Sequence, residues 1–139
     1  MATKYFIAKR KQLLVDLKKS NNIIRNWIVK VYRWDDDRGV LYVSLERNGR
    51  YYILRITETP GFPNEPPSLK FVNPRTLVCD GTGWPGGYHI FPGDETSGWI
   101  CLGVSYEYKT RHYSEWTRLP SEKRWSPRTS FYIVISEVI

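Results

Sequence analysis

Residues 27–72 read WIVKVYRWDDDRGVLYVSLERNGRYYILRITETPGFPNEPPSLKFV. Trp27, Val29 and Val31 alternate with Ile28, Lys30 and Tyr32, the two-residue period of a strand with one buried face. Asp36, Asp37 and Gly39 supply turn chemistry, and a second strand follows over 40–45. Asn48-Gly49 is a strong hairpin signal, after which Tyr52, Leu54 and Ile56 alternate with Tyr51, Ile53 and Arg55. Two tight turns in succession predict an antiparallel meander. Pro60, Pro63, Pro66 and Pro67 stiffen the next connection and forbid a central strand there, so the fourth strand is confined to 68–72.

Helical patterns flank this meander. Phe6, Arg10, Leu13, Leu14 and Leu17 recur at helical spacing, while Lys9, Arg10, Lys11, Lys18 and Lys19 charge the other side. Thr3 suits the N-cap, and Ser20, Asn21 and Asn22 end the pattern. The preferred reading packs one face on the sheet and wets the other, ahead of membrane or nucleic-acid contact. At the other end, Ser126 is expected as N-cap and Pro127 as first helical residue. Phe131, Val134, Ile135 and Val138 then share a face. Residues 73–124 are glycine-rich and carry no helical face longer than a turn or two, a long stretch of the kind that is usually functional. The expectation is a single α+β domain over 1–139, with helices packed on a sheet.

Composition narrows the function. Of 139 residues, 41% are hydrophobic and 25% charged, which is ordinary globular composition. Cys79 and Cys101 are too few for a disulfide scaffold. With His89 and His112 they lack the close CxxC pair of a zinc site, so no metal and no cofactor are expected. The charged N-terminus does not read as a signal peptide, and no run approaches a membrane span, so a cytoplasmic, reduced protein is expected. A net charge of +7 permits an acidic partner without choosing its class. The lysines and arginines are spread along the chain and no nucleic-acid motif occurs, which disfavours nucleic acid. The glycines at 81–87 lack the ending of a phosphate loop.

The chemical candidates are few. Cys101 lies in SGWICLGV. Its apolar neighbours suit a buried, inert thiol, whereas Gly98 and Gly103 permit turns that present a thiol at the surface, where it can act as a nucleophile. Cys79 reads as a strand-end or loop residue. His89, twelve residues before Cys101, is either a proton-transfer group or a loop-fixing histidine. His112 falls in an aromatic segment with Tyr106, Tyr108, Tyr113 and Trp116, which looks like a surface insertion.

Four pieces stand in a familiar order: GFPNEPPSLKF, Tyr88-His89, GWICLGV and Trp125-Ser126-Pro127. Together they resemble the catalytic domain of ubiquitin-conjugating enzymes. That resemblance implies an N-terminal helix, a four-stranded meander, a long active-site loop and a C-terminal helix. It places Cys101 on the thioester-forming cysteine. The family's Tyr-His-Pro-Asn loop supplies an asparagine that supports the oxyanion; here Ile90 and Phe91 follow His89, and no asparagine matches. Asp94 and His89 are then the local candidates for loop support or amine deprotonation. The segment between Cys101 and Trp125 is longer than the family's, and the family's two last helices have no counterpart in the 139 residues.

These departures look more like the divergent bacterial relatives of antiphage (CBASS-type) defence operons. The implied activity is a cysteine-dependent transferase. Its partners would be a ubiquitin-like modifier, or the C-terminal tail of a cyclic-nucleotide-synthesising enzyme, with an activating enzyme as a further partner. The competing readings are a catalytically inactive module that binds a ubiquitin-like protein, an interaction module docking through its aromatic insertion, and a nucleic-acid binder.

Overall fold

The computed structural model describes residues 2–83 and 100–139. Helix α1 (Lys4–Lys19) leads into strands β1 (Ile23–Ile24), β2 (Trp27–Asp35), β3 (Val40–Arg47), β4 (Arg50–Thr57) and β5 (Ser68–Val72). Helices α2 (Tyr106–Arg111), α3 (Tyr113–Thr117) and α4 (Phe131–Val138) follow. The strands form one antiparallel sheet in the order β1-β2-β3-β4-β5. The expected meander is therefore present, with one strand more than the sequence pattern announced. Residues Arg25 and Asn26, both at positive φ, connect β1 to β2, so a two-residue turn forms there without glycine.

The pattern in β2 breaks once. Val31 pairs with Val43 and Arg33 with Tyr42, leaving Tyr32 as the extra residue of a bulge. Strict alternation would put Arg33 on the same face as Val31. The bulge moves it to the opposite face, beside Tyr42.

Helices α1 and α4 cover the other face. Phe6, Leu13 and Leu17 of α1 meet Phe131, Val134, Ile135 and Val138 of α4 over Leu41, Val43, Leu45, Leu54, Ile56, Leu69 and Phe71 of the sheet. Phe6 lies edge-on to Phe131 and Phe62, with centroids 5.3 and 5.6 Å away. Burying one such ring contributes about 2–3 kcal/mol. Leu14, expected on the packed face, is exposed. Arg10 is the buried cation of α1: its guanidinium pairs with Asp36 at 2.9 Å and lies over the Trp34 ring. Thr3 caps α1 as expected, accepting from the Phe6 N–H.

The start of α4 corrects the sequence reading. Its cap is Ser130, whose hydroxyl accepts from the Ile133 N–H at 3.1 Å. Ser126 instead opens a separate turn closed by Thr129: its N–H donates to Thr129 Oγ1 and its carbonyl accepts from the Thr129 N–H. Ser126 and Ser130 both fit the local N-cap pattern, and the turn takes up the first of them. Among the described residues no helix is long and apolar enough to cross a membrane.

Candidate functional site

The loop carrying Cys101 is anchored on both sides. Ile100 before it and Val104 and Ser105 after it are buried, while Cys101 and Leu102 are half-buried. The thiol is thus held at the edge of the core, between the two possibilities its sequence left open. Tight turns shape the segment: the Leu102 N–H donates to the Ile100 carbonyl and the Ser105 N–H to that of Leu102.

Gly103 is the pivot. Its carbonyl accepts from the Trp125 N–H at 3.0 Å and from the Trp116 indole at 2.8 Å. A Cβ at this position would stand 2.0 Å from the Lys123 carbonyl oxygen. Only glycine permits that approach of two backbone segments.

Three of the four pieces that carried the resemblance meet here. The Trp125 indole donates to the Pro63 carbonyl at 2.8 Å, and its ring packs on Phe62 at 5.5 Å. The Tyr106 N–H donates to the Pro67 carbonyl at 2.9 Å. The proline-rich turn, the cysteine segment and the Trp-Ser-Pro segment are thereby tied together. From α1, the Lys9 ammonium reaches across to donate to the carbonyls of Pro127 and Thr129 at 2.9 and 2.7 Å. Its partial burial pulls its pKa down. Lys9 is therefore engaged in the fold rather than offered to solvent with Lys11 and Lys18.

The aromatic segment after Cys101 is also fixed. It forms α2 and α3, with Trp116 buried between the Lys109 and Arg124 cations at 4.7 and 5.2 Å. Lys109 pairs with Glu65 of the proline-rich turn at 3.1 Å, and Ser68 donates to Glu107. Only part of the insertion is surface: Tyr113 is exposed.

Cys101 lines a cavity of about 340 Å³ with Tyr108, Leu119, Lys123 and Glu137. Lys123 and Glu137 face one another there at 3.5 Å. These two come from the turn before Trp125 and from the last helix, and no local motif links either to the cysteine. Burial pushes the Cys101 thiol above its ordinary pKa. The Tyr108 hydroxyl is raised as well, by burial first and then by Cys101 and Glu115.

His112 and Cys79 lie away from this cavity. His112 joins α2 to α3, 3.9 Å from Glu115 and stacked on Tyr108. It does not line the cavity of Cys101. Cys79 sits half-buried on the loop after β5. Burial raises its thiol most strongly and Asp80 adds to that, while Lys70, Arg55 and the Gly81 N–H act in the opposite direction. His89 and Asp94 lie outside the described residues. Among the described residues no group of three His, Cys, Asp or Glu side chains is placed to hold a metal ion.

Together these elements define an α+β domain with an N-terminal helix, an antiparallel sheet and C-terminal helices, an arrangement compatible with the ubiquitin-conjugating-enzyme-like fold. No protein-family model matches the chain, and no curated protein does.

Proposed function

We propose that residues 1–139 act as one ubiquitin-conjugating-enzyme-like catalytic domain, with Cys101 as the acyl carrier. The observation that carries this reading is the tie between three separated motifs around the cysteine segment, made through Gly103, Trp125, Pro63 and Pro67. These pieces are up to 62 residues apart in sequence, and their hydrogen bonds meet at the segment that follows Cys101.

The chemistry has two steps. The Cys101 sulfur attacks the carbonyl of an incoming thioester, the donor C–S bond breaks, and the donor thiol leaves with the proton. An amine nitrogen then attacks the new thioester, the Cys101 C–S bond breaks, and the thiolate recovers a proton as the amide forms. A thiol of raised pKa is a poor leaving group, so it holds its acyl group until an amine is positioned. Lys123 and Glu137 provide a charged wall for the incoming chain. Asp94 or His89 would serve the amine, and backbone donors near 93–98 the oxyanion. The acyl donor is a ubiquitin-like modifier, or the C-terminus of a cyclic-nucleotide-synthesising partner in a bacterial antiphage setting, with an activating enzyme upstream.

The raised Cys101 thiol also favours a second reading, a non-catalytic module that binds a ubiquitin-like protein. Replacement of Cys101 with serine separates the two. In a transferase, Cys101→Ser traps the modifier as an oxygen ester that survives thiol treatment but not mild alkali. A binding module yields the same non-covalent complex for wild type and Cys101→Ser, with no ester in either.

A further inference from the structure

The face of the sheet turned away from α1 and α4 carries a separate cavity of about 620 Å³. It lies between the outer ends of β2–β5 and the loop at 76–78, and Cys101 is not part of it. Its lining holds Arg33, Arg38 and Arg55 against a single carboxylate, Asp35. Arg38 is spoken for in part, 3.8 Å from Asp35. Arg33 and Arg55 form no ion pair among the described residues, and Arg55 is half-buried there.

Strand register sets their spacing. Arg33 pairs with Tyr42, and Tyr42 with Arg55, so the two arginines flank one tyrosine across three adjacent strands. Their Cα atoms are then about two strand spacings apart, roughly 10 Å. Lys70 continues the same row on β5. Arg33 reaches this face only because of the bulge at Tyr32. Thr57 also contributes to the lining, although its hydroxyl is itself buried, with no hydrogen-bond partner among the described residues. Leu77 at the rim holds φ +61, a conformation leucine rarely adopts.

We propose that this cavity is a binding site for a phosphorylated small molecule carrying two or more linked phosphates. Guanidinium forks suit phosphate oxygens, and two of them flanking Tyr42 suit a linked pair better than a single oxyanion. The volume fits a small ligand and is open to one side, so the rest of the molecule can extend toward Tyr42 and the rim. Arg33 and Arg55 hold the phosphates.

The test is a titration of the full chain with inorganic pyrophosphate and, separately, with ATP, followed by amide NMR at fixed ionic strength. Saturable shifts confined to 33–42, 55–57 and 76–78 are expected, with affinity at least tenfold tighter for pyrophosphate than for sulfate. Arg33→Gln alters an exposed side chain and should weaken binding about tenfold, with an unchanged melting temperature. Arg55→Gln should weaken binding by a similar factor. Non-saturating shifts spread over Lys11, Lys18 and Lys19 would overturn the proposal, as would equal affinity for sulfate and pyrophosphate. Binding of an acidic peptide at this face in preference to pyrophosphate and ATP would overturn it too. Activity at Cys101 is not read in any arm, so the outcome is independent of the transferase reading.

Discussion

Cys79 and Cys101 share a residue type, partial burial and a thiol pushed above its ordinary range, yet their settings differ. Around Cys79 charges act in both directions: Lys70 and Arg55 oppose the effect of burial, and Asp80 adds to it. Its loop is shaped by local hydrogen bonds, such as those from Thr82 and Asn73 that hold the Asp80 carboxyl below its usual range. At Cys101 burial alone shifts the thiol, but the backbone is gripped by the core on both sides and by two tryptophans through Gly103. Both thiols are shifted in the same direction, so acidity does not separate them. Placement favours Cys101, and for acyl transfer between two proteins placement is the scarcer quantity, since a thioester needs a positioned amine more than a strong catalyst.

The comparison can be broken at Gly103, where the largest effect is expected. Gly103→Ala forces a Cβ against the Lys123 carbonyl and should cost about 3 kcal/mol. In a thermal melt that corresponds to a fall of roughly 10 °C. A melt within a degree of wild type would mean that the grip on the cysteine loop is not where we place it. Next in size is Trp125→Phe, which keeps an aromatic side chain but shrinks it and leaves the Pro63 carbonyl without its indole donor. Chemical denaturation should show a loss of about 1–3 kcal/mol.

The pH profile of alkylation sharpens the contrast. Only the thiolate reacts, and the raised pKa of Cys101 means that its rate is still climbing where a free thiol, with a pKa of about 8.5, begins to level off. Peptide-resolved alkylation with iodoacetamide should show that delay, and a Cys101 profile that levels off below the free thiol would refute it. The smallest effect belongs to Arg55. Arg55→Gln removes a cation that favours the Cys79 thiolate, so the pKa of Cys79 rises. Its alkylation near neutral pH should slow by about two- to threefold, with Cys101 unchanged.

Legibility in the sequence followed the strength of local signals. Asn48-Gly49 and Arg25-Asn26 both form two-residue turns at positive φ, but only the first contains the glycine that announces such a turn. Strand β1 accordingly leaves no mark in the sequence pattern. Ser126 and Ser130, four residues apart, carry the same local cap signal, and the choice between them depends on Thr129 closing a turn. Arg10 fits both the helical period and the charged side of α1. Its burial follows from Asp36 and Trp34, which lie far along the chain. Near Cys101, GWICLGV predicts a turn through Gly103, and tight turns shape that segment. Lys123 and Glu137 carry no such signal, because a cavity wall assembled from distant segments leaves no spacing to detect. His89 and Asp94 stay where the sequence left them, as expectations.

Acyl carriage by Cys101 is read most directly by intact-mass measurement of the chain purified from its native cell without reductant, as wild type, Cys101→Ala and Cys79→Ala. The expected result is a protein-sized mass increment on wild type and Cys79→Ala that is released by thiol treatment and absent from Cys101→Ala. An increment that persists in Cys101→Ala, or that disappears only with Cys79, would contradict it.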